Sequence, residues 1–191
     1  MPEPRGAALE RTARLGLGTH RAAMQALHGG ALVAWRAEVG MRGDGARLTF
    51  PVPAGHAGRG FGFTRHGGLG HVPHEGLDIG APEGTLVVAS RAGLVVYSDN
   101  GIRGMGNVVV LAHEDGSSTL YAHCRRTLVA TGEQVQRGQA VGEVGATGLA
   151  LGPHLHFEWH VRGAARNPAS HFVRRDSDPA LVGHPVRRET R

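Results

Sequence analysis

The chain has 191 residues and a formal net charge of +5, and all 21 of its cationic side chains are arginine. Because the sequence contains no lysine, Schiff-base catalysis and lysine-linked prosthetic groups are excluded. The positive charge suits an anionic partner, but no recognised nucleic-acid motif accompanies the arginines, so we expect no nucleic-acid partner.

The first 45 residues are rich in alanine, glycine and arginine. The stretch HRAAMQALHG has a weak helical periodicity, and we expect residues 1–45 to form an N-terminal extension with one or two short helices. The N-terminus shows no apolar stretch of the kind found in signal peptides. No part of the sequence approaches the ~20 apolar residues of a membrane span, so we expect no integral membrane segment.

Residues 46–172 differ in composition and pattern from the first 45, and we interpret them as the functional domain. After the glycine-rich stretch HAGRGFGFTRHGGLGHVPHEG, which predicts a loop, short segments rich in valine and leucine alternate with turn signals such as SDNG and HEDG. The predicted strands are TLVVAS, AGLVVYS, NVVVLAH, STLYAH, QAVGEVG and HLHFEWHV. This pattern predicts a mainly β fold, either an antiparallel sandwich or a partly open barrel. The charged, aperiodic residues 173–191 predict a flexible tail.

The last predicted strand, HLHFEWHV, places polar and apolar side chains on opposite faces, because successive residues of a strand alternate. One face carries four polar residues: His154, His156, Glu158 and His160. The other face carries four apolar residues: Leu155, Phe157, Trp159 and Val161. The apolar face can pack on a core while the histidines face a cleft, although paired histidines on a strand are often simply solvated.

Two further segments contain metal-ligand residue types. HEGLD supplies His74 and Asp78 at the entry to a strand, and YAHC supplies His123 at the end of another. Imidazole nitrogens and carboxylate oxygens suit Zn²⁺, and a catalytic zinc usually takes three protein ligands and one water. A single histidine in any of these places is by default a structural hydrogen-bonding residue.

Taken together, HxGxD, YAH and GPHLHFE in this order resemble the motifs of the lysostaphin/LytM-type zinc metallopeptidases, and the resemblance covers about residues 70–168. The resemblance implies the duplicated-hybrid-motif fold and a zinc-dependent endopeptidase that cuts peptidoglycan cross-links or stem peptides. It also implies that His74, Asp78 and His156 are zinc ligands. His123 and His154 would then be catalytic residues that flank the metal-bound water.

The resemblance leaves several roles open. In the implied mechanism, zinc lowers the pKa of its water towards ~7 and one of the two catalytic histidines acts as general base or oxyanion stabiliser. The sequence does not decide which histidine has which role. Glu158 either orients a ligand imidazole or lies in a surface or salt-bridge position. Cys124 stands where the family commonly has an aliphatic residue, and we predict that it is a small buried hydrophobic residue.

Two other functions are alternatives to the enzyme. Some members of this fold lack the metal site and activate cell-wall amidases, which would then be the partner; the five intact polar positions favour an enzyme instead. GEQVQRGQAVGEVGATG resembles the hairpins of biotinyl and lipoyl carriers, but these need a lysine that this chain lacks.

The substrate also determines the expected location. Peptidoglycan lies outside the cytoplasm, so the resemblance implies a periplasmic or extracellular protein although no signal peptide is visible. Glycyl bridges and D-alanyl–diaminopimelate links both remain possible substrates. The N-terminal 45 residues could cover the cleft, as in latent members of the family.

Overall fold

The computed structural model of the protein describes residues 5–30, 33–39, 47–62, 73–174 and 177–181. The helices are α1 (Arg5–Leu15), α2 (His20–His28) and α3 (Val33–Val39). The strands are β1 (His56–Ala57), β2 (Leu77–Gly80), β3 (Leu86–Val88), β4 (Gly93–Asp99), β5 (Asn107–Ala112), β6 (Ser118–Cys124), β7 (Arg126–Thr127), β8 (Gln134–Val135), β9 (Ala140–Glu143), β10 (His154–Val161) and β11 (Ala164–Arg166). Short 3-10 turns cover Ala169–His171 and Pro179–Leu181.

The strands form two antiparallel sheets. The larger sheet has eight strands in the order β1-β2-β10-β6-β5-β4-β8, with β11 also paired to β10, and the smaller has three strands in the order β3-β9-β7. The six segments predicted from the sequence correspond to β3, β4, β5, β6, β9 and β10, and the mainly β, antiparallel fold is confirmed. The sheets form an open arrangement and not a closed barrel.

The core between the two sheets is built mostly of valine and leucine. Val109, Leu111 and Phe157 of the large sheet and Val87 and Val141 of the small sheet are fully buried in one cluster. Branched side chains fit the pleated surface of short strands, and burying them supplies most of the driving force for sheet packing. The apolar face of β10 therefore packs as the alternation predicts.

The opposite face of the large sheet is partly covered by the N-terminal helices; the described residues contain three of them, where one or two were expected. Thr19 caps α2, since its side chain accepts a hydrogen bond from the Ala22 N–H at 3.0 Å. The helix α2 contacts β4, β5, β6 and β11, and α3 contacts β4 and β5. The buried face of α2 consists of small or aliphatic residues: Ala22, Ala23, Ala26 and Leu27. Alanine allows the helix to approach the sheet closely.

The described part of the charged C-terminal segment packs against the domain. Asp178 is buried, and one of its carboxylate oxygens accepts a hydrogen bond from the Thr49 hydroxyl at 2.8 Å and lies 3.3 Å from the Arg137 guanidinium. Leu181 is also buried. A buried carboxylate needs such partners, so these contacts hold residues 177–181 in place. The predicted boundaries near residues 45 and 172 stay predictions.

Strand β10 is central to the arrangement because it lies between β2 and β6. His156 is directly opposite Asp78 on β2 and Ala122 on β6. The three motif segments HEGLD, YAHC and GPHLHFE, far apart in the sequence, are therefore brought together by strand pairing alone. In the described part of the chain, no helix is long and apolar enough to cross a membrane.

Candidate metal centre

The residues predicted as zinc ligands converge on one point. The Asp78 Oδ1 atom lies 3.0 Å from His74 Nε2 and 2.9 Å from His156 Nδ1, and the two ring nitrogens are 3.1 Å apart. Within the described residues, these three side chains form the one group whose ligand atoms all lie within 4.8 Å of one another. Two imidazole nitrogens and one carboxylate oxygen at this spacing are a donor set that suits Zn²⁺.

Glycine between His74 and Asp78 makes the close approach possible. A Cβ atom at Gly76 would lie 2.5 Å from the carbonyl oxygen of Phe157 and 2.7 Å from Cε1 of His156. Any other residue at this position would push β10 and the HEGLD segment apart. The glycine of the HxGxD motif is therefore required by the packing of the ligand imidazole against the neighbouring backbone.

The outer nitrogen of each ligand histidine has a partner of its own. His74 Nδ1 lies 2.9 Å from the carbonyl oxygen of Gly60, so it carries the proton and donates it. His156 Nε2 lies 2.9 Å from Oε1 of Glu158 and donates to that carboxylate. These hydrogen bonds leave His74 Nε2 and His156 Nδ1 as the nitrogens that face the shared point, as in metal sites whose ligand imidazoles are oriented by outer partners.

The protonation states in this cluster determine how it can bind a cation. Burial alone would raise the pKa of Asp78, but its close contacts with the imidazoles of His156 and His74 lower it well below the usual range, so the carboxylate is ionised. Burial alone would lower the pKa of His156, but its bonds to Asp78 and Glu158 raise it to about 9. In the metal-free chain a proton thus occupies the His156 nitrogen that a metal would use.

Asp78 of this cluster lines a cavity of about 660 Å³. Its lining residues come from the HEGLD strand, from the loop before β10, from β6 and from the segment after β1: Arg59, Asp78, His123, Leu149, Leu151, Gly152, Pro153 and His154. The described residues of the N-terminal extension, 5–30 and 33–39, are not among them. The helices therefore lie on the large sheet without lining this cavity.

Both predicted catalytic histidines line the cavity beside the ligand cluster. Their ring centroids are 4.9 Å apart, and the His123 ring lies 5.9 Å from the His156 ring. His123 Nδ1 donates to the carbonyl oxygen of Thr147 and His154 Nδ1 donates to that of Gly152, each at 2.8 Å. In both rings Nε2 is therefore the nitrogen that remains available to accept or donate a proton.

His123 has an unusual backbone. Its φ angle is 62°, a left-handed conformation that a residue with a Cβ rarely adopts. The N–H of His123 donates to the carbonyl oxygen of Met105 at 2.9 Å, which helps to hold the strand end in this shape. Burial lowers the pKa of His123, so the ring is neutral at neutral pH. Strained residues of this kind cluster at functional sites.

Glu158 supports the ligand cluster from behind. The residue is 4% exposed, and its two carboxylate oxygens accept hydrogen bonds from His156 at 2.9 Å and from His160 at 2.7 Å. Burial would raise the pKa of Glu158, but these two histidines lower it to about 2. The surface alternative for Glu158 is wrong, because the side chain is buried; its partner His160 in turn packs with its ring 5.6 Å from the ring of His28 in α2.

Two residues near the motifs have structural roles, and for Cys124 this is the role that the sequence predicts. His113 is buried and bonded at both ring nitrogens, to the carbonyl oxygen of Ala92 at 2.8 Å and to the Thr119 hydroxyl at 2.9 Å. Cys124 is fully buried in the core, and burial raises the pKa of its thiol to about 12. Neither side chain is available as a further ligand.

Sequence reasoning missed Arg59, whose guanidinium Nε lies 3.0 Å from Oδ2 of Asp78. The residue lies in the glycine-rich stretch that predicts a loop, far from Asp78 along the chain. It is brought close by backbone pairing, since the Asp78 N–H donates to the Arg59 carbonyl oxygen at 2.9 Å. No spacing in the sequence signals this contact. Residues 63–72, which include most of the FGFTRHGG stretch, lie outside the described residues.

Comparison with known proteins agrees with this geometry. A family model described as Peptidase family M23 matches residues 72–168. The peptidoglycan DD-endopeptidase ShyC of Vibrio cholerae is 43% identical over 95 residues, which are 50% of this chain and 22% of that protein. A lipoprotein NlpD/LppB homolog of Pseudomonas aeruginosa is 37% identical over 113 residues, or 59% of this chain and 36% of that protein. The chain thus spans well under half the length of either relative.

Two solved structures are similar over most of the β domain. A zinc-containing peptidase from Vibrio cholerae has a TM-score of 0.59 at 32% identity, covering 64% of this chain and 39% of that one. The catalytic domain of lysostaphin from Staphylococcus simulans has a TM-score of 0.56 at 31% identity, covering 61% of this chain and 90% of that domain. In both cases the similarity extends well beyond the ligand residues.

Proposed function

Because the chain belongs to peptidase family M23, we propose that it is a zinc-dependent endopeptidase that hydrolyses peptide bonds in peptidoglycan. The observation that carries the proposal is the convergence of His74 Nε2, Asp78 Oδ1 and His156 Nδ1. Each ligand imidazole is held by a hydrogen bond at its outer nitrogen, and the cluster opens onto a cavity that two more histidines line. A cluster that only stabilised the fold would not need to lie beside a cavity.

His74, Asp78 and His156 would hold the zinc. When bound, Zn²⁺ supplies a Lewis acid that polarises a carbonyl group and lowers the pKa of water towards ~7. The chain's own contribution is orientation. Glu158 fixes the direction of the His156 ring, and the carbonyl oxygen of Gly60 fixes that of His74.

His123 and His154 would move protons and stabilise charge at the scissile bond. In each ring the Nδ1 proton is committed to a backbone carbonyl, so Nε2 can accept a proton from water and later donate it to the leaving amine. A protonated ring can also donate a hydrogen bond to the carbonyl oxygen as negative charge develops there. Separate variants of His123 and His154 would show which of these roles each histidine has.

Digestion of purified cell walls tests the proposal. Zinc-loaded protein should release soluble muropeptides, which mass spectrometry identifies, and the activity should disappear with a chelator and return with zinc. Walls with glycyl bridges and walls with D-alanyl–diaminopimelate links are digested in parallel to identify the scissile bond. The His20→Ala variant, which changes an exposed histidine of α2, should behave like the wild type.

A non-catalytic activator of cell-wall amidases is the alternative outcome of the same experiment. Its partner would be an amidase, and the chain would bind no zinc at stoichiometric level and release no muropeptide by itself. The intact donor set favours the enzyme over this alternative. In either case we expect the protein to act in the periplasm or at the cell wall, where its substrate or partner lies.

A further inference from the structure

The cavity beside the metal-ligand cluster contains one permanently charged cation. Of its lining residues, Asp78 carries a negative charge, and Arg59 carries the one fixed positive charge. The guanidinium is always protonated at physiological pH. Arg59 is therefore the group of this lining that can bind an anionic group on a ligand.

The position of Arg59 is fixed by the backbone. The segment after β1 continues to pair with β2, because the Gly58 N–H donates to the Asp78 carbonyl oxygen at 2.8 Å and the Asp78 N–H donates to the Arg59 carbonyl oxygen at 2.9 Å. The side chain then reaches the carboxylate of Asp78, with Nε 3.0 Å from Oδ2. Since Oδ1 of Asp78 faces the two ligand histidines, Arg59 lies directly beside the candidate reaction centre.

Most of the guanidinium is still free to bind a ligand. Its side chain is 41% exposed, and Asp78 is its one ion-pair or side-chain hydrogen-bond partner among the described residues. Arginine has five N–H donors in a planar fork that matches a carboxylate in two parallel hydrogen bonds. The donors not directed at Asp78 can therefore hold a second carboxylate, one that belongs to the substrate.

The other exposed side chains of the cavity are apolar. Leu149 and Leu151 are 81% and 88% exposed and line the same cavity as Arg59. Large apolar side chains gain free energy when a ligand covers them. The cavity thus presents a cation and an apolar surface next to the cluster, which fits a peptide that carries a free carboxylate and a small aliphatic side chain near the scissile bond.

We propose that Arg59 forms a carboxylate-binding subsite that selects cross-links with a free carboxylate beside the scissile bond. The proposal rests on the proposed peptidoglycan endopeptidase function. A D-alanyl–diaminopimelate link has both recognised features, namely the alanine methyl group and a carboxylate on the carbon that bears the scissile nitrogen. An oligoglycine bridge has neither, so it is the poorer substrate.

Matched peptides test the subsite. The probe is a synthetic dimer of two diaminopimelate tetrapeptides joined by a D-alanyl–diaminopimelate bond, prepared with all carboxylates free, with the diaminopimelate carboxylate at the link amidated, or with the terminal D-alanine carboxylate amidated. Calorimetry gives the Kd of each peptide for the metal-free full chain, and kcat/KM is measured with the zinc-loaded chain. The proteins are the wild type, Arg59→Gln, Arg59→Lys and the control Arg14→Gln, which removes an exposed arginine paired with Glu38 on the helices.

The wild type and Arg14→Gln should prefer the free form over the link-amidated form by about tenfold in Kd and in kcat/KM, the factor typical of one charge-assisted contact. Arg59→Gln should reduce this ratio to within about twofold, and Arg59→Lys should leave an intermediate ratio. If amidation of the terminal D-alanine carboxylate, and not of the link carboxylate, weakens binding and turnover, the proposal is overturned, because the recognised carboxylate is then not the one beside the scissile bond.

Equal binding of all three peptides by the wild type would overturn the proposal, as would a preference that survives in Arg59→Gln. A uniform loss with every peptide in Arg59→Gln, together with weaker zinc binding, would also overturn it, because Arg59 would then only position Asp78. Failure of the proposed enzymatic function has a different signature. In that case no peptide is cleaved, while the calorimetric ratio and its dependence on Arg59 are still measured on the metal-free chain.

Discussion

The two ends of β10 use the same alternating pattern for different purposes. At the N-terminal end, His154 and His156 lie beside a cavity. His156 Nδ1 faces the candidate metal position, and His154 Nε2 is available for proton transfer because Nδ1 is bonded to the backbone. At the C-terminal end, Glu158 and His160 are buried and bond to each other, and the His160 ring packs against that of His28 in α2. His160 Nδ1 has no hydrogen-bond partner in the described part of the chain.

The difference between these ends is set by what covers the sheet face. Where this face of the strand borders the cavity, polar side chains can meet a substrate; where it is buried, polar side chains can only support one another. The two ends are linked by the bond between His156 and Glu158. The buried end therefore orients the exposed end, and substitutions along the strand should separate ligands, catalytic residues and supporting residues.

The largest effect is expected from His156→Ala. The substitution removes one of three donor atoms and leaves Glu158 as a buried carboxylate without its main partner. We expect the zinc content to fall from one equivalent to background and wall digestion to be lost, as measured by elemental analysis and muropeptide release. His20→Ala on exposed α2 is the control, and full zinc content in His156→Ala would contradict the ligand assignment.

The second effect is expected from His123→Ala and, separately, from His154→Ala. Neither removes one of the three converging donors, so the zinc content should remain at one equivalent. Loss of a residue that transfers a proton typically lowers the rate by about 10²–10⁴-fold, and we expect kcat to fall in this range for at least one of the two variants. Undiminished kcat in both variants would show that neither histidine transfers the proton.

A smaller effect is expected from Glu158→Gln, which keeps the shape of the side chain but removes the charge that orients His156. Loss of an outer partner of this kind typically weakens metal affinity by about 10–100-fold. Competition with a chelating dye measures the change in Kd for zinc. The matched control is Glu143→Gln on β9, whose carboxylate pairs with exposed Arg126; an equal loss in the control would refute the supporting role of Glu158.

The pH dependence of zinc binding follows from the raised pKa of His156. Because this pKa is about 9 in the metal-free chain, a proton must leave when zinc binds at pH 7, and the apparent affinity should rise by about tenfold per pH unit up to pH 9. Because the pKa of His156 is higher in the folded chain than its ordinary value of 6.5, the protonated ring also stabilises the metal-free fold. This stabilisation is fully present below pH 6.5 and is lost as the pH rises through 9. Calorimetry in buffers of different ionisation enthalpy counts the released proton; a pH-independent affinity would contradict this account.

The smallest effect is expected at Cys124, which follows His123 directly but points into the core. Its buried thiol, with a pKa of about 12, should not react with a disulfide reagent at pH 8 until the protein is unfolded, when one thiol should appear. Cys124→Ala should leave zinc content and kcat unchanged. Rapid labelling of the native protein would show that this part of β6 opens.

Much of the fold could be predicted because its strands are local patterns. The segments that became β4, β5, β6 and β10 are continuous apolar or alternating runs, and their turns carry glycine and aspartate. The short strands β1, β7, β8 and β11 were missed because two or three residues contain no period. Helix α3 was missed because its seven residues make only about two turns, too few to show a helical period.

The candidate site was predicted from motif resemblance rather than from spacing alone. The structure brings together all five predicted residues, since strand register places Asp78 opposite His156. What the sequence could not decide was the role of Glu158 and the presence of Arg59 in the cavity. The alternation of strand residues assigns Glu158 to a face of the sheet but does not indicate what covers that face. Arg59 reaches the cavity through backbone pairing with a distant segment, and such pairing leaves no local pattern in the sequence.

The central claim is that His74, Asp78 and His156 together hold one zinc ion at the edge of the cavity. Anomalous diffraction at the zinc absorption edge, on crystals of the zinc-loaded protein, tests it most directly. The account predicts a single strong peak about 2.0–2.2 Å from His74 Nε2, from a carboxylate oxygen of Asp78 and from His156 Nδ1, with its remaining side open to the cavity. A peak bound by other residues, or no peak at these three side chains, would contradict it.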